Sequence, residues 1–194
     1  ISILKPFSLL LLTLFIFHPT WSQTKIEIEK RVKTHEVPAE ALEDLGEHLK
    51  NPKKVKWYYQ EDGDKKVFEA KFKQNSNQYS VEFSRQGEVL NVEVITKSNQ
   101  IETVTFKQIK SELKSTFSNF KIRKIQREYL GEGEDLFEII SENEIDDDLN
   151  LRYEIEVNAK KDKKRHLYEM LFNNTGNLIS QRQVKLKSTD ILDY

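Results

Sequence analysis

Two stretches of this chain carry one pattern. In Tyr79-Ser80-Val81-Glu82-Phe83 aromatic and apolar residues alternate with polar ones, and three polar residues, Gly87 and the apolar pair Val89-Leu90 follow. The pattern returns as Tyr168-Glu169-Met170-Leu171-Phe172, then Asn173-Asn174-Thr175, Gly176 and Leu178-Ile179. A two-residue period belongs to a strand with one buried face, and a glycine at that point supplies the positive φ of a tight turn. Each copy therefore predicts a β-hairpin. Upstream of each runs a further alternating strand, Phe68-Glu69-Ala70-Lys71-Phe72 and Tyr153-Glu154-Ile155-Glu156-Val157, so the repeated unit is larger than a hairpin.

A helix is predicted ahead of each set of strands. In residues 37–50, Leu42, Leu45 and Leu49 share one helical face, Pro38 suits the first turn, and acids gather early with Lys50 late, as the helix dipole favours. Phe106, Ile109, Leu113 and Phe117 have the same spacing and predict the counterpart over residues 105–118. The expected fold class is α+β, with two tandem helix-plus-four-stranded antiparallel sheet units at residues 37–96 and 104–187. An N-terminal edge segment at residues 23–36, whose Lys25–Val32 stretch alternates, and a tail at residues 188–194 flank them. The second copy carries an insertion at about residues 131–148, whose Glu142, Glu144, Asp146, Asp147 and Asp148 read as a solvated acidic loop.

Alternation also assigns the faces. Val55, Trp57, Tyr59, Phe68, Ala70, Phe72, Tyr79, Val81, Phe83, Leu90, Val92 and Val94 fall on the face expected to meet the first helix. The opposite face carries Lys56, Tyr58, Glu69, Lys71, Ser80, Glu82, Asn91 and Glu93. In the second unit it carries Arg152, Glu154, Glu156, Glu169, Leu171 and Arg182. These outward sheet faces are the candidate partner-binding surface. Lys160, Lys161, Lys163, Lys164 and Arg165, at the tip between two strands, form a second, basic candidate.

Residues 1–22 read as a secretory signal peptide. Lys5 precedes the apolar run Phe7–Phe17, and Thr20 and Ser22 stand at the small-residue positions before a cut at Gln23. The rival reading, a membrane anchor, asks for about 20 apolar residues, more than the run supplies. The expected location is periplasmic or secreted, with no membrane span after cleavage. The chain has no cysteine, which excludes a lipid-anchored lipoprotein, disulfides, thiol catalysis and thiolate metal sites. With 31 basic residues against 32 acidic ones, no global field draws nucleic acid, so nucleic acid is not an expected partner.

No catalytic, cofactor-binding or metal-binding residue is nominated. His35, His48 and His166 lie far apart in different elements and read as ordinary surface or half-buried histidines. Asp146-Asp147-Asp148 opens like a calcium loop, but Leu151 stands where the glycine belongs and Val157 where the glutamate belongs. Asn173-Asn174-Thr175 matches a glycosylation acceptor and equally makes the turn of the second hairpin.

The run Trp57 … Phe68-Glu69-Ala70-Lys71-Phe72 … Tyr79-Ser80-Val81-Glu82-Phe83 … Gly87-Glu88-Val89-Leu90 resembles the PepSY-like, β-lactamase-inhibitor-like (BLIP-like) domains of exported Gram-negative proteins. The resemblance covers residues 37–96 and, less fully, 104–185. It implies a helix before a four-stranded antiparallel sheet, often in tandem, and a small periplasmic protein that binds proteins or peptides. The inhibitors that named the fold carry disulfides and this chain has none, so inhibition of a β-lactamase is not carried over. The expected function is a non-enzymatic binding module with a protein or peptide partner. The alternatives are an envelope structural or stress protein without a discrete site, and last a hydrolase with an unrecognised one.

Overall fold

The computed structural model describes residues 24–25, 27–51, 54–131, 133–141, 149–161 and 163–185. Ten strands form one sheet: β1 (Thr24–Lys25), β2 (Glu27–Val32), β3 (Lys56–Asp62), β4 (Lys65–Gln74), β5 (Asn77–Phe83), β6 (Val89–Ile95), β7 (Phe120–Leu130), β8 (Asn150–Lys161), β9 (Lys164–Asn173) and β10 (Leu178–Val184). Three helices accompany them, α1 (Ala39–Glu47) before β3, α2 (Thr103–Thr116) before β7, and α3 (Gly133–Ser141) between β7 and β8. The strands run in the order β1-β10-β9-β8-β7-β6-β5-β4-β3-β2. Every neighbouring pair is antiparallel except β1 with β10.

That order makes the sheet curl. β1 and β2 stand at opposite ends of it, yet one residue separates them in the chain. Consecutive Cα atoms lie about 3.8 Å apart, so the two edges approach within roughly 8 Å there. Away from that point, Arg182 on β10 reaches Asp62 on β3 at 2.7 Å. The sheet is therefore drawn round on itself by β1 and β2, which sit at its two ends and next to each other in the chain.

The helices cover the outside of this curl. Ala41 and Leu45 of α1 pack on Trp57, Ala70, Val81, Phe83 and Val92, while Ile109 and Leu113 of α2 pack on Ile155, Val157, Tyr168 and Met170. The two signature glycines mark where hairpin meets helix. Gly87 (φ 109°) lies against Pro38, Glu40 and Ala41 at the start of α1, and Gly176 (φ 87°) against Thr105, Gln108 and Ile109 of α2. A side chain at either place would strike helix backbone, so the glycine serves close approach as well as the turn.

Four expectations change. Part of the insertion is no solvated loop: α3 buries Leu136, Phe137, Ile139 and Ile140 in the core of α1 and β3–β6. Its sequence, Leu-Phe-Glu-Ile-Ile, gives a helix an apolar stripe that must be covered. The acidic stretch 142–148 lies outside the described residues. Gln74 ties this helix in, its Nε2 donating to the carbonyls of Ile140 (2.8 Å) and His48 (3.0 Å) while its Oε1 accepts from Lys50 N–H (2.8 Å). α1 ends at Glu47, short of the expected residue 50, and His48 just beyond it stacks on Phe137 at 4.7 Å. Leu90, expected in the core, is 38% exposed, because the β5–β6 register slips between Glu82 and Phe83 and pairs Phe83 with Val89. Finally, the charged faces expected to look outward line the hollow of the curl.

Candidate functional site

The hollow is a cavity of about 1270 Å³ lined by alternate residues of β2–β10. Every candidate of the sheet faces is in that lining: Lys56, Tyr58, Glu69, Lys71, Glu82 and Glu93 from one half, Arg152, Glu154, Glu156, Glu169, Leu171 and Arg182 from the other. Sequence alternation put these side chains on one side of the sheet. It held no sign of curvature, so it took the concave side for the solvated one. An eight-stranded barrel has room for its own side chains or one small ligand, and a circuit of more strands is wider. Arg31, Lys73, Lys124, Gln126 and Glu128 also line the cavity and were not singled out from the sequence; their period-two positions on strands was the available signal.

Most charges in the cavity are tied to one another. Glu69, 5% exposed, accepts from Ser80 Oγ and Gln60 Nε2 and pairs with Lys71 at 2.9 Å. Lys71 also meets Glu29 at 2.9 Å and sits 4.7 Å from the centre of the Tyr58 ring. Burial raises the Glu69 carboxyl above its ordinary range despite Lys71 and Ser80. Burial works against the Lys71 charge, but Glu69 and Glu29 more than offset it and hold its pKa above the usual value. Arg152 grips Glu128 with two hydrogen bonds, 2.9 and 2.8 Å, a geometry in which a guanidinium is strongest. Lys124 pairs with Glu156 at 2.5 Å, Lys65 with Glu82 at 2.6 Å, and Arg182 with Glu169 at 2.6 Å.

Two groups stand outside this pairing. Arg31, Lys54, Lys56 and Lys73, all exposed at the β2–β4 side, have no ion partner among the described residues. Glu93 on β6 takes a hydrogen bond from Gln126 Nε2 at 2.5 Å and pairs with no cation among the described residues. Desolvation first, then Glu154, Glu82 and Glu69, push its pKa well above the ordinary carboxylate value, against a smaller opposing pull from Lys124. The charges are segregated. On β2–β4 and the lead into β3, the cations Arg31, Lys54, Lys56, Lys65, Lys71 and Lys73 outnumber the acids Glu29, Asp62 and Glu69. On β5–β8 the acids Glu82, Glu93, Glu128, Glu154 and Glu156 outnumber the cations Lys124 and Arg152.

Glu93 provides a test of this electrostatics. A carboxyl whose folded pKa is raised keeps its proton in the native state where the unfolded chain has lost it, so stability falls as pH climbs above the ordinary glutamate range. Below that range both states are protonated and the group has no effect. Glu93→Gln should therefore be more stable than the parent by about 1–3 kcal/mol at pH 8, with the advantage vanishing toward pH 4. Urea unfolding at both pH values measures it. A gap that does not narrow on acidification would refute the assignment.

The other candidates lie apart from the cavity. Lys160, Lys161, Lys163, Lys164 and Arg165 occupy the exposed β8–β9 tip, where Lys161 pairs with Lys164 in the ladder and Lys163 takes φ 65°. Arg165 donates to Asn119 Oδ1 at 2.8 Å, so part of that charge is held against the protein. Asn173 Oδ1 accepts from Thr175 N–H (3.1 Å) and Asn177 N–H (2.9 Å), the geometry of an Asx turn. Among the described residues no group of three His, Asp or Glu is placed to hold a metal ion. None of the described helices is long and apolar enough to cross a membrane.

The fold and cavity define an α+β protein built on a single curled antiparallel sheet. No family model matches the chain, and no curated protein matches its sequence. Solved structures do match. A candidate periplasmic protein of Bacteroides eggerthii aligns with TM-score 0.51 and 16% identity over 76% of this chain and 88% of that one. A DUF2874 family protein of Bacteroides uniformis aligns with TM-score 0.51 and 16% identity over 76% and 89%. A BLIP-like protein of Bacteroides fragilis aligns less closely, at TM-score 0.46 and 14% identity over 78% and 90%. At these identities the likeness is one of fold.

Proposed function

We propose that this chain is an exported, non-enzymatic binding protein that receives a polypeptide partner in the hollow of its sheet. The supporting observation is the cavity itself, which at about 1270 Å³ exceeds the ~300–1,000 Å³ of small-molecule pockets. In this reading residues 1–22 are a signal peptide cleaved before Gln23, and the hollow works in the periplasm or outside the cell. The fold likeness to the candidate periplasmic protein of Bacteroides eggerthii agrees with that location. The chain is read as two copies of a PepSY-like, BLIP-like helix-plus-four-strand unit, residues 37–96 and 104–187, with α3 inserted in the second. The basic tip at Lys160–Arg165 is a secondary contact.

A rival has its own observation: the ion pairs within the hollow satisfy many of its charges, as expected of an envelope structural protein without a ligand. One experiment separates them. A photo-reactive residue is placed at Ser180, which lines the cavity, and in a second protein at Lys107, on the outer helix α2. On irradiation in cells, position 180 should yield a discrete adduct, identified as a polypeptide by mass spectrometry, that position 107 does not. No adduct from 180, or the same adducts from both, would favour the rival.

A further inference from the structure

The segregated charges of the hollow specify the partner's chemistry, and this inference rests on the binding reading above. With β1 and β2, neighbours in the chain, taken as one position of the circuit, it has β4, β5 and β6 between β3 and β7 on one side. On the other it has β9, β10 and β2 between β8 and β3. β3 thus stands across the hollow from the β7–β8 pair, and the cation-rich wall faces the acid-rich one. On the first wall Arg31, Lys56 and Lys73 have no ion partner among the described residues. On the second, Glu93 pairs with no cation among the described residues. Asn91 and Gln126, only 5% and 4% exposed, each keep an amide oxygen without a donor beside it. The first wall thus holds cations with no anion beside them, and the second holds buried acceptor oxygens with no donor beside them.

We infer that the hollow takes an extended polypeptide segment with carboxylates along one edge and ammonium or guanidinium groups along the other. In an extended chain successive side chains point to opposite sides, so acidic and basic residues in alternation present such edges. A uniformly anionic polymer, a nucleic acid or an acidic glycan, would meet Arg31, Lys56 and Lys73 favourably and be repelled by the acid-rich wall that carries Glu82, Glu128 and Glu156. A uniformly cationic one meets the reverse.

The test uses the whole mature chain and four synthetic peptides of equal length as probes: alternating Glu-Lys, the same composition as a Glu block followed by a Lys block, all-Glu and all-Lys. Binding is followed by fluorescence anisotropy of labelled peptide at low and high salt. The alternating peptide should bind at least tenfold more tightly than its block isomer and than either homopolymer, and should weaken as salt rises. The triple variant Arg31→Glu, Lys56→Glu, Lys73→Glu changes exposed side chains and should lose that preference tenfold or more, whereas Lys107→Glu on α2 should keep it. Circular dichroism confirms that the variants fold. Equal binding of the two isomers, all-Glu binding as tightly as the alternating peptide, or no binding at millimolar peptide would overturn the inference. An adduct from position 180 in cells together with any of those results would leave the binding reading standing and remove only this one.

Discussion

Gly176→Ala is expected to lose about 3–5 kcal/mol of stability, read as a fall in the urea midpoint with little change in slope. Two costs combine. The residue has φ 87°, where an L side chain is strained by about 1–2 kcal/mol. The added Cβ would also stand 2.5 Å from the carbonyl oxygen of Thr105, with Gln108 Cβ at 3.1 Å and Ile109 Cγ1 at 3.2 Å. Backbone in the first turns of α2 cannot swing aside as a flexible side chain would, so the helix must lift off the β9–β10 hairpin. Gly63→Ala separates the two terms. Gly63 has φ 60° and nothing within 4 Å of the added carbon, so it should cost only the strain term. If the two substitutions cost the same, the glycine of the signature is a turn residue and no more.

Ile140→Ala should cost about 2–4 kcal/mol, where an insertion lying as a loop on the surface would cost next to nothing. Ile140 is fully buried, in one core with Leu45, Val81 and Phe83. Its carbonyl takes a hydrogen bond from Gln74, and that of Ile139 one from Tyr79 Oη at 3.4 Å. Truncation therefore leaves a hole between α1, α3 and β4–β5 that those fixed polar contacts prevent from closing. Val104→Ala on the outer face of α2, where the side chain is 72% exposed, provides the comparison and should shift the midpoint hardly at all. A midpoint for Ile140→Ala matching that of Val104→Ala would mean that α3 does not belong to the core.

The contrast between these residues shows what a linear pattern carries. Period two placed Trp57, Phe72, Val81 and Phe83 in the core and Lys56, Glu69 and Glu93 together on the other face, because a strand's side-chain direction is local. Leu90 escaped, since a bulge shifts the phase of one strand against its partner and leaves no mark in either strand alone. The apolar stripe of residues 136–140 was legible as well, but its neighbours are acidic, and what covers it comes from β4, β5 and α1, far off in the chain. The hollow was the least legible feature. Whether a charged face is open or enclosed depends on how the sheet ends meet, and that meeting joins Thr24 to Gln183.

That junction also sets the order in which the molecule is completed. Contacts between distant parts of a chain form slowly, because the loop entropy is lost before the pairing compensates it. The hairpins and helix-capped cores are local and can assemble early, while β1 must wait for β10, which lies far along the chain from it. A molecule of this design passes through a stage with its cores formed and its strand edges unpaired, exposed to any neighbour offering a strand. Folding at high local concentration would be its hazard, and fast capture of β1 by β10 its protection.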